Sequence, residues 1–338
     1  MQEAFEGAKK ELVSFLEEAV GSYKHEFKEV NRWVDESLTR LVVYAQRGKM
    51  LRGSLACIVS SALGVSRSQA VRVGVAIELL QSGVLVHDDI MDGDTTRRGA
   101  ASLHAQLEEV GGPRFGLGGG ICVGDVSLFL AFRILNSCER SQELVELFSR
   151  EAVSLGFGQM QDVYFGVSEE EPSVESILSV YRYKTARYTF VLPLLLACCL
   201  ADREDLYKPV TRFGESLGVS FQIRDDVLGL FGKEEETGKP VGADVREDKK
   251  TLVRFELLRL LEGDDRAWAA SLFGSEVSAA EVSKLRLLAQ EAGVLSAVNL
   301  HAESADSRAE VALDDLQVPV DARKVLDWLV RFNRSRAA

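Results

Sequence analysis

Apolar positions recur at spacings of three and four along almost the whole chain. Residues 5–20 set Phe5, Ala8, Leu12, Phe15, Leu16 and Ala19 on one stripe, and 31–45 continue it with Val34, Leu38, Leu41, Val42 and Ala45. That period marks an amphipathic helix. Residues 51–63 and 69–91 are more continuously apolar, as expected of helices buried on most sides. Further helices are predicted over 121–137, 142–165, 173–200, 205–231, 249–262, 279–292, 305–316 and 321–334. Breaks are predicted at Gly48, Gly64, Gly93–Gly99, Gly111–Gly120, Glu169–Ser173, Gly232–Gly242, Gly263–Asp265 and Pro319. There is no run of alternating strands, no βαβ rhythm, no fixed-period repeat and no Pro/Ser-rich linker. The pattern therefore predicts an all-α chain forming one large domain over 1–338, larger than a simple bundle.

Composition narrows the partners. With 40 Lys+Arg against 52 Asp+Glu the formal charge is −12, which argues against nucleic acid as the main partner. An apolar share of 46% and a charged share of 27% exclude intrinsic disorder as the main state. Cys57, Cys122, Cys138, Cys198 and Cys199 are an odd number without Cys-x-x-Cys spacing, so buried thiols in a reducing cytosol are expected. The N-terminal stretch is amphipathic and acidic, without the layout of a signal or transit peptide. The longest apolar run, Phe190 to Ala201, is well short of the ~20 residues that span a bilayer. These features predict a cytoplasmic protein without a transmembrane segment.

The glycine cluster from Gly111 to Gly120 has no following Gly-Lys-Ser/Thr and no preceding strand, so it reads as a helix–helix connection and not as a phosphate loop. Stronger chemistry lies at His87-Asp88-Asp89-Ile90-Met91-Asp92. At spacings of three and four the three aspartates share one helical face. Like charges so placed destabilise a helix unless a counter-charge is present, and a hard divalent cation, Mg²⁺ by preference, suits oxygen ligands. A second apolar helix carries Asp225-Asp226, followed by Gly238-Lys239-Pro240 and Asp244 to Lys249. Arg97 and Arg98 follow the first pair, and Lys239 and Lys249 the second. Two aspartate pairs, each with basic residues behind it, suggest facing metal clusters that bridge an anion, with Lys and Arg suited to diphosphate oxygens.

From about residue 45 to 255 the chain resembles the trans-isoprenyl diphosphate synthases, the polyprenyl synthetase family. The resemblance rests on Gly48-Lys49 with Arg52, then Asp88-Asp89-x-x-Asp92 with Arg97-Arg98-Gly99, and His104. Gly124-Asp125, Gly158-Gln159 with Asp162, and Lys184-Thr185 continue it. Phe221-Gln222-x-x-Asp225-Asp226 with Lys239, Asp244 and Lys249 completes the colinear set. The family implies antiparallel helices around a deep central cavity, the isoprenoid synthase fold, with helices 256–338 carrying no motif. It implies a Mg²⁺-dependent prenyltransferase of isoprenoid biosynthesis, acting on isopentenyl diphosphate and an allylic diphosphate, and a homodimer. By resemblance, Lys49, Arg52, Gln81 and Arg98 hold isopentenyl diphosphate, and Arg97, Lys184, Lys239 and Lys249 clamp the allylic diphosphate. Asp88, Asp92 and Asp225 ligate Mg²⁺ with Asp89 and Asp226 in support, while Thr185 and Gln222 lie beside the reacting carbons.

Two departures matter. The third acidic position of the second motif is Gly229, so metal binding on that helix rests on Asp225, with Asp226 next; and Glu247-Asp248-Lys249 replaces the commoner Glu-Gly-Lys. In the family the residues four and five before Asp88 floor the chain-length channel. Here they are Val84 and Gly83, with no aromatic plug, which predicts a product of C20 or longer, geranylgeranyl diphosphate foremost. A glycine at 83 equally suits close helix–helix packing. The alternatives are a farnesyl diphosphate synthase, a non-catalytic partner subunit, which would usually have lost aspartates, and a terpene cyclase, which would not need Lys49, Arg52 and Arg98.

Overall fold

The computed structural model describes residues 1–232 and 242–337. Among them the only strands are a two-residue antiparallel ribbon, β1 (Thr96–Arg97) and β2 (Ala100–Ala101); the rest of the regular structure is helical. The chain divides into two compact units. The first comprises Met1–Ser149, Pro193–Tyr207 and Gln317–Val325, and the second Arg150–Leu192, Lys208–Leu316 and Leu326–Ala338.

In the first unit, α1 (Gln2–Phe27), α2 (Trp33–Gln46), α3 (Leu51–Ala62), α5 (Leu103–Gly111) and α6 (Pro113–Asn136) pack around α4 (Arg67–Asp92). Of the predicted α1 stripe, Ala8, Leu12 and Leu16 are fully buried and Phe5, Phe15 and Ala19 partly so, and Val20 joins the buried side. Helix α4 is buried on most sides, and glycines let its neighbours approach. A β-carbon on Gly53 of α3 would lie 2.5 Å from the Gly74 carbonyl oxygen of α4, and one on Gly83 would lie 2.7 Å from the Gly124 carbonyl oxygen of α6.

The predicted break at Gly111–Gly120 is instead largely helix. Pro113 opens α6 at a position that needs no N–H. Packing demands Gly116, Gly119 and Gly120, though not Gly118: a β-carbon on Gly116 would meet the His104 carbonyl oxygen at 2.9 Å, and one on Gly120 the side chain of Ile90 at 2.7 Å. Close packing thus outweighs the roughly 1 kcal/mol helix penalty of each glycine. Helices α4 and α6 are both long and apolar enough to cross a membrane by length and composition, although polar residues and glycines interrupt their apolar runs. The apolar window of α4 is 78% buried, that of α6 only 39%. Leu117, Ile121, Val126 and Phe129 of α6 are exposed. Cys122, also on α6, is exposed too, a correction to the expectation of buried thiols. The other four are buried, and burial pushes Cys57 and Cys138 up to about 11 and Cys198 to about 12.

Helix α7 (Ser141–Val167) leads into the second unit, where α8 (Val174–Val180) continues directly into an eleven-residue π-helix, Tyr181–Val191; the α9 that follows (Leu192–Leu200) belongs to the first unit from Pro193 onward. Helix α10 (Tyr207–Phe231), a short α11 (Ala243–Arg246), α12 (Leu252–Leu260), α13 (Gly263–Leu272), α14 (Ala279–Glu291), α15 (Val294–Asp314) and α16 (Val320–Arg334) follow. Thr251 caps α12 by accepting the Arg254 N–H, and Ser278 with Glu281 forms a capping box on α14. Helix α13 occupies a stretch read as a break: Gly263 begins it, and Asp264 and Asp265 suit the positive end of its dipole. Helix α15 begins well before the predicted residue 305, because its buried stripe of Val298, Ala302, Ala305, Ala309 and Ala312 is mostly alanine and contrasts weakly with its polar face. The core of this unit joins Ile177, Tyr181, Ile223, Val227, Leu257, Leu285 and Val298. Within it Arg224 pairs with Asp306 at 2.7 Å, and Ser220 donates to Asp306 at 2.5 Å.

Candidate active site

Gly93, in the left-handed conformation, ends α4 and donates its N–H to the Asp89 carbonyl. The predicted aspartates therefore occupy the last turns of the helix, where the macrodipole disfavours negative charge. Compensation comes from the β1–β2 ribbon. Its two-residue turn, Arg98-Gly99, has positive φ at both positions (54° and 73°), the signature of a type I′ hairpin. The hairpin folds Arg97 back onto the helix end, where its Nε donates to Asp89 Oδ1 at 2.5 Å and its Nη2 lies 3.4 Å from Asp88 and 3.1 Å from Asp94.

The three aspartates are not equivalent. Asp89 is fully buried and also accepts from the Tyr44 hydroxyl at 2.7 Å. Burial raises its carboxyl above the ordinary range, opposed by Arg97 and Tyr44. Burial lowers the Arg97 guanidinium, but Asp89 and Asp88 outweigh it and hold the group firmly charged. Asp88 and Asp92 are only partly buried, which leaves these two, four residues apart, as the pair able to take a further ligand.

The same hairpin places Arg98 against Gly48: a β-carbon there would lie 2.5 Å from the Arg98 Nη1. Lys9 of α1 fixes this turn by donating to the Gly48 carbonyl at 2.7 Å. Lys49 is exposed, and Arg52 sits in the first turn of α3, where the helix dipole favours an anion. Glu78, not anticipated from the sequence, is within electrostatic reach of Arg52, Arg98 and Lys9 and accepts the Gly53 N–H at 2.7 Å. Gln81, one turn further along α4, is buried, and its Oε1 accepts no hydrogen bond among the described residues. The four predicted isopentenyl diphosphate residues thus come from the α3 start, the hairpin and α4 of one unit.

In the second unit the π-helix carries Lys184 and Thr185. A π-turn inside a helix is often a feature of functional sites. A β-carbon on Gly158 of α7 would lie 2.7 Å from the Lys184 backbone nitrogen, so that motif glycine permits the close approach. Lys184 pairs with Asp162 at 2.5 Å. Thr185 donates to Gln222 Oε1 at 2.7 Å, and Gln222 donates to Asp226 Oδ1 at 2.8 Å. The Tyr181 hydroxyl donates to the other oxygen of Asp226 and accepts the Leu252 N–H at 2.8 Å. Asp226 is buried, and desolvation raises its carboxyl well above the ordinary range. Asp225, on the more open side of α10, pairs with Arg336, whose guanidinium lies 3.9 Å from the centroid of the Phe221 ring. Lys249 lies 2.9 Å from Glu247. Lys239 lies outside the described residues. Tyr44, Tyr181 and Arg336 were not anticipated.

Among the described residues no group of three or more His, Cys, Asp or Glu side chains is assembled as a metal cage. The donors nevertheless fit Mg²⁺, which binds through one or two carboxylates completed by substrate phosphates. Asp88 and Asp225 each already hold a cationic guanidinium, Arg97 and Arg336 respectively, in this structure.

Of the two readings of Gly83, close packing is the one its surroundings carry, since its β-carbon direction points into α6. Val84 is half-buried, and Leu80, one turn earlier, is buried.

An all-α chain with carboxylates at a helix end and cationic side chains folded back on them is built as an enzyme for anionic substrates. The chain belongs to the polyprenyl synthetase family, whose model matches residues 31–288, and it is a trans-prenyltransferase. It is 32% identical to the geranylgeranyl diphosphate synthase of Sulfolobus acidocaldarius over 249 residues, covering 71% of this chain and 72% of that one. The enzyme of the same name from Saccharolobus solfataricus is 29% identical over 309 residues, 87% of this chain and 88% of the other. The crystal structure of geranylgeranyl pyrophosphate synthase from Corynebacterium glutamicum, complexed with isoprenyl diphosphate and magnesium, is similar with a TM-score of 0.90 at 26% identity, covering 98% of each chain.

Proposed function

We propose that this enzyme uses Mg²⁺ to condense isopentenyl diphosphate with an allylic diphosphate, and that its product is geranylgeranyl diphosphate. The observation that carries the reading is the return of Arg97 onto Asp88 and Asp89 by the β-hairpin, which leaves Asp88 and Asp92 at the open end of α4. Asp88, Asp92 and Asp225 would hold Mg²⁺, which when bound stabilises the charge that develops on the departing diphosphate. Arg97, Lys184, Lys239 and Lys249 would bind the allylic diphosphate oxygens. Lys49, Arg52, Gln81 and Arg98 would bind isopentenyl diphosphate, with the buried Gln81 amide anchoring its orientation. Thr185 and Gln222, hydrogen-bonded to each other, would present oxygens to the allylic carbocation in a site that must exclude water. The reading includes one catalytic domain over 1–338, a cytoplasmic location and a homodimer. The magnesium and isoprenyl diphosphate of the Corynebacterium glutamicum complex support the ligand set, and the exposed Leu117, Ile121 and Phe129 of α6 support an interface between copies.

The test is incubation of labelled isopentenyl diphosphate with farnesyl diphosphate and Mg²⁺, followed by product-length analysis. A C20 product that disappears with chelator and with Asp88→Ala is expected. Chains ending at C15 would overturn the product assignment, and no Mg²⁺-dependent elongation at all would overturn the reaction.

A further inference from the structure

The second aspartate motif lacks its third acidic residue, since Gly229 stands there. On a helix, position 229 lies four residues from Asp225 and three from Asp226, so a side chain there would share their face. In this structure that space is already taken. A β-carbon built on Gly229 would fall on the carboxylate of Asp244, nearest its Oδ2, closer than any two unbonded atoms can lie; the Asp244 Cγ would be 3.1 Å away. Asp244 is the second residue of α11, is half-buried, and comes from a different element.

We propose that Asp244 supplies the third carboxylate of the second aspartate cluster, and that residue 229 is glycine because that carboxylate occupies the volume a side chain would need. The inference rests on the reading of the second cluster as a Mg²⁺–diphosphate site. The acidic set is then Asp225 and Asp226 from α10 with Asp244 from α11.

Placing the carboxylate on α11 has a chemical consequence. A third aspartate on α10 would be fixed by the helix that carries the other two, whereas Asp244 reaches the cluster from α11. Restoring the missing motif residue should therefore harm the enzyme, the opposite of what the motif alone would suggest. Gly229→Asp would set two carboxylates in one volume and expel Asp244.

The experiment measures Mg²⁺ affinity calorimetrically in the presence of inorganic pyrophosphate, with melting temperature and circular dichroism for each variant. Gly229→Asp and Asp244→Gly should each weaken Mg²⁺ binding about tenfold, and the double variant, which moves the carboxylate back onto α10, should recover to within about threefold of the parent. Asp244→Asn keeps the size and removes the charge; it should weaken Mg²⁺ binding without lowering the melting temperature, so the inference stays testable even where Gly229→Asp fails to fold. Parental affinity in Asp244→Asn, or a double variant no better than Asp244→Gly, would overturn it. If the parent binds no Mg²⁺ with pyrophosphate, the reading of the site fails instead.

Discussion

Arg336 forms an ion pair with Asp225, the residue of α10 assigned to Mg²⁺. A guanidinium and a divalent cation cannot both have first claim on that carboxylate, so metal binding must displace or share the arginine. The pair is partly exposed, with side-chain exposures of 21% and 38%, so its stabilisation is about 1 kcal/mol or less. Arg336→Ala is expected to lower the Mg²⁺ concentration for half-maximal activity by up to about fivefold, and Arg336→Lys to change it less. A titration of activity and of Mg²⁺-induced thermal stabilisation checks this. An unchanged or higher Mg²⁺ requirement in Arg336→Ala would show that the arginine assists the metal and does not compete with it.

Gly83 and Val84 were read together as a channel floor, yet they face different surroundings. A methyl group on Gly83 would press on the Gly124 carbonyl oxygen at 2.7 Å and on Leu128 at 3.1 Å. Gly83→Ala should therefore destabilise by roughly 1–3 kcal/mol as an overpacked helix contact, and Gly83→Phe should misfold, making it an unsuitable probe of product length. Val84 is half-buried and carries the length question. Val84→Phe should move the main product from C20 toward C15 with a melting temperature close to the parent's. Product chromatography and thermal melts of both variants decide it; an unshifted C20 product in Val84→Phe would remove this turn from chain-length control.

Arg98 holds φ at 54°, a conformation that costs a non-glycine residue about 1 kcal/mol. Gly99 beside it suits its own φ of 73°, so the hairpin would form more readily with glycine at both positions. The strain is understandable if the guanidinium over Gly48 is needed for substrate. Arg98→Gly should leave stability within about 1 kcal/mol of the parent, because the relieved strain and the added freedom of the unfolded chain oppose each other. It should raise KM for isopentenyl diphosphate at least tenfold while KM for the allylic substrate changes little. Equal KM values in the two proteins would leave the strained arginine without a role in that subsite.

The parts of this site that could be read in the sequence are those held by local geometry. Asp88, Asp92 and Arg97 lie within ten positions, and helical spacing plus one hairpin suffices to bring them together. Thr185 and Gln222 were anticipated through motifs and do meet, at 2.7 Å. What remained hidden depends on long-range packing of residues that look unremarkable. Tyr44 and Tyr181 each lie 45 positions from the aspartate they donate to, and no local spacing links them to it. The helical glycines of α6 were misread for a related reason: a glycine-rich stretch looks like a loop until the neighbouring helix that needs its missing side chains is known. The displaced carboxylate of Asp244 belongs to the same class, since only its position over Gly229 gives the altered motif a meaning.

Glu78 is within electrostatic reach of Arg52 and Arg98, two of the predicted isopentenyl diphosphate residues. Burial raises its carboxyl above the usual range, against the opposing pull of the Gly53 N–H, Arg52, Arg98 and Lys9. The folded state therefore binds this proton more tightly than the unfolded chain does. Its contribution to stability is fully present below the unfolded value near 4.5 and is lost as pH rises through the folded value. Glu78→Gln keeps the shape and the acceptor for Gly53 but cannot ionise. It should melt higher than the parent at about pH 7.5, with the gap closing as pH falls toward 4.5. Melting curves of both proteins across that range test the argument: a gap that stays constant with pH, or that opens toward acid, would mean that Glu78 is held ionised by its arginines and that burial is the weaker effect.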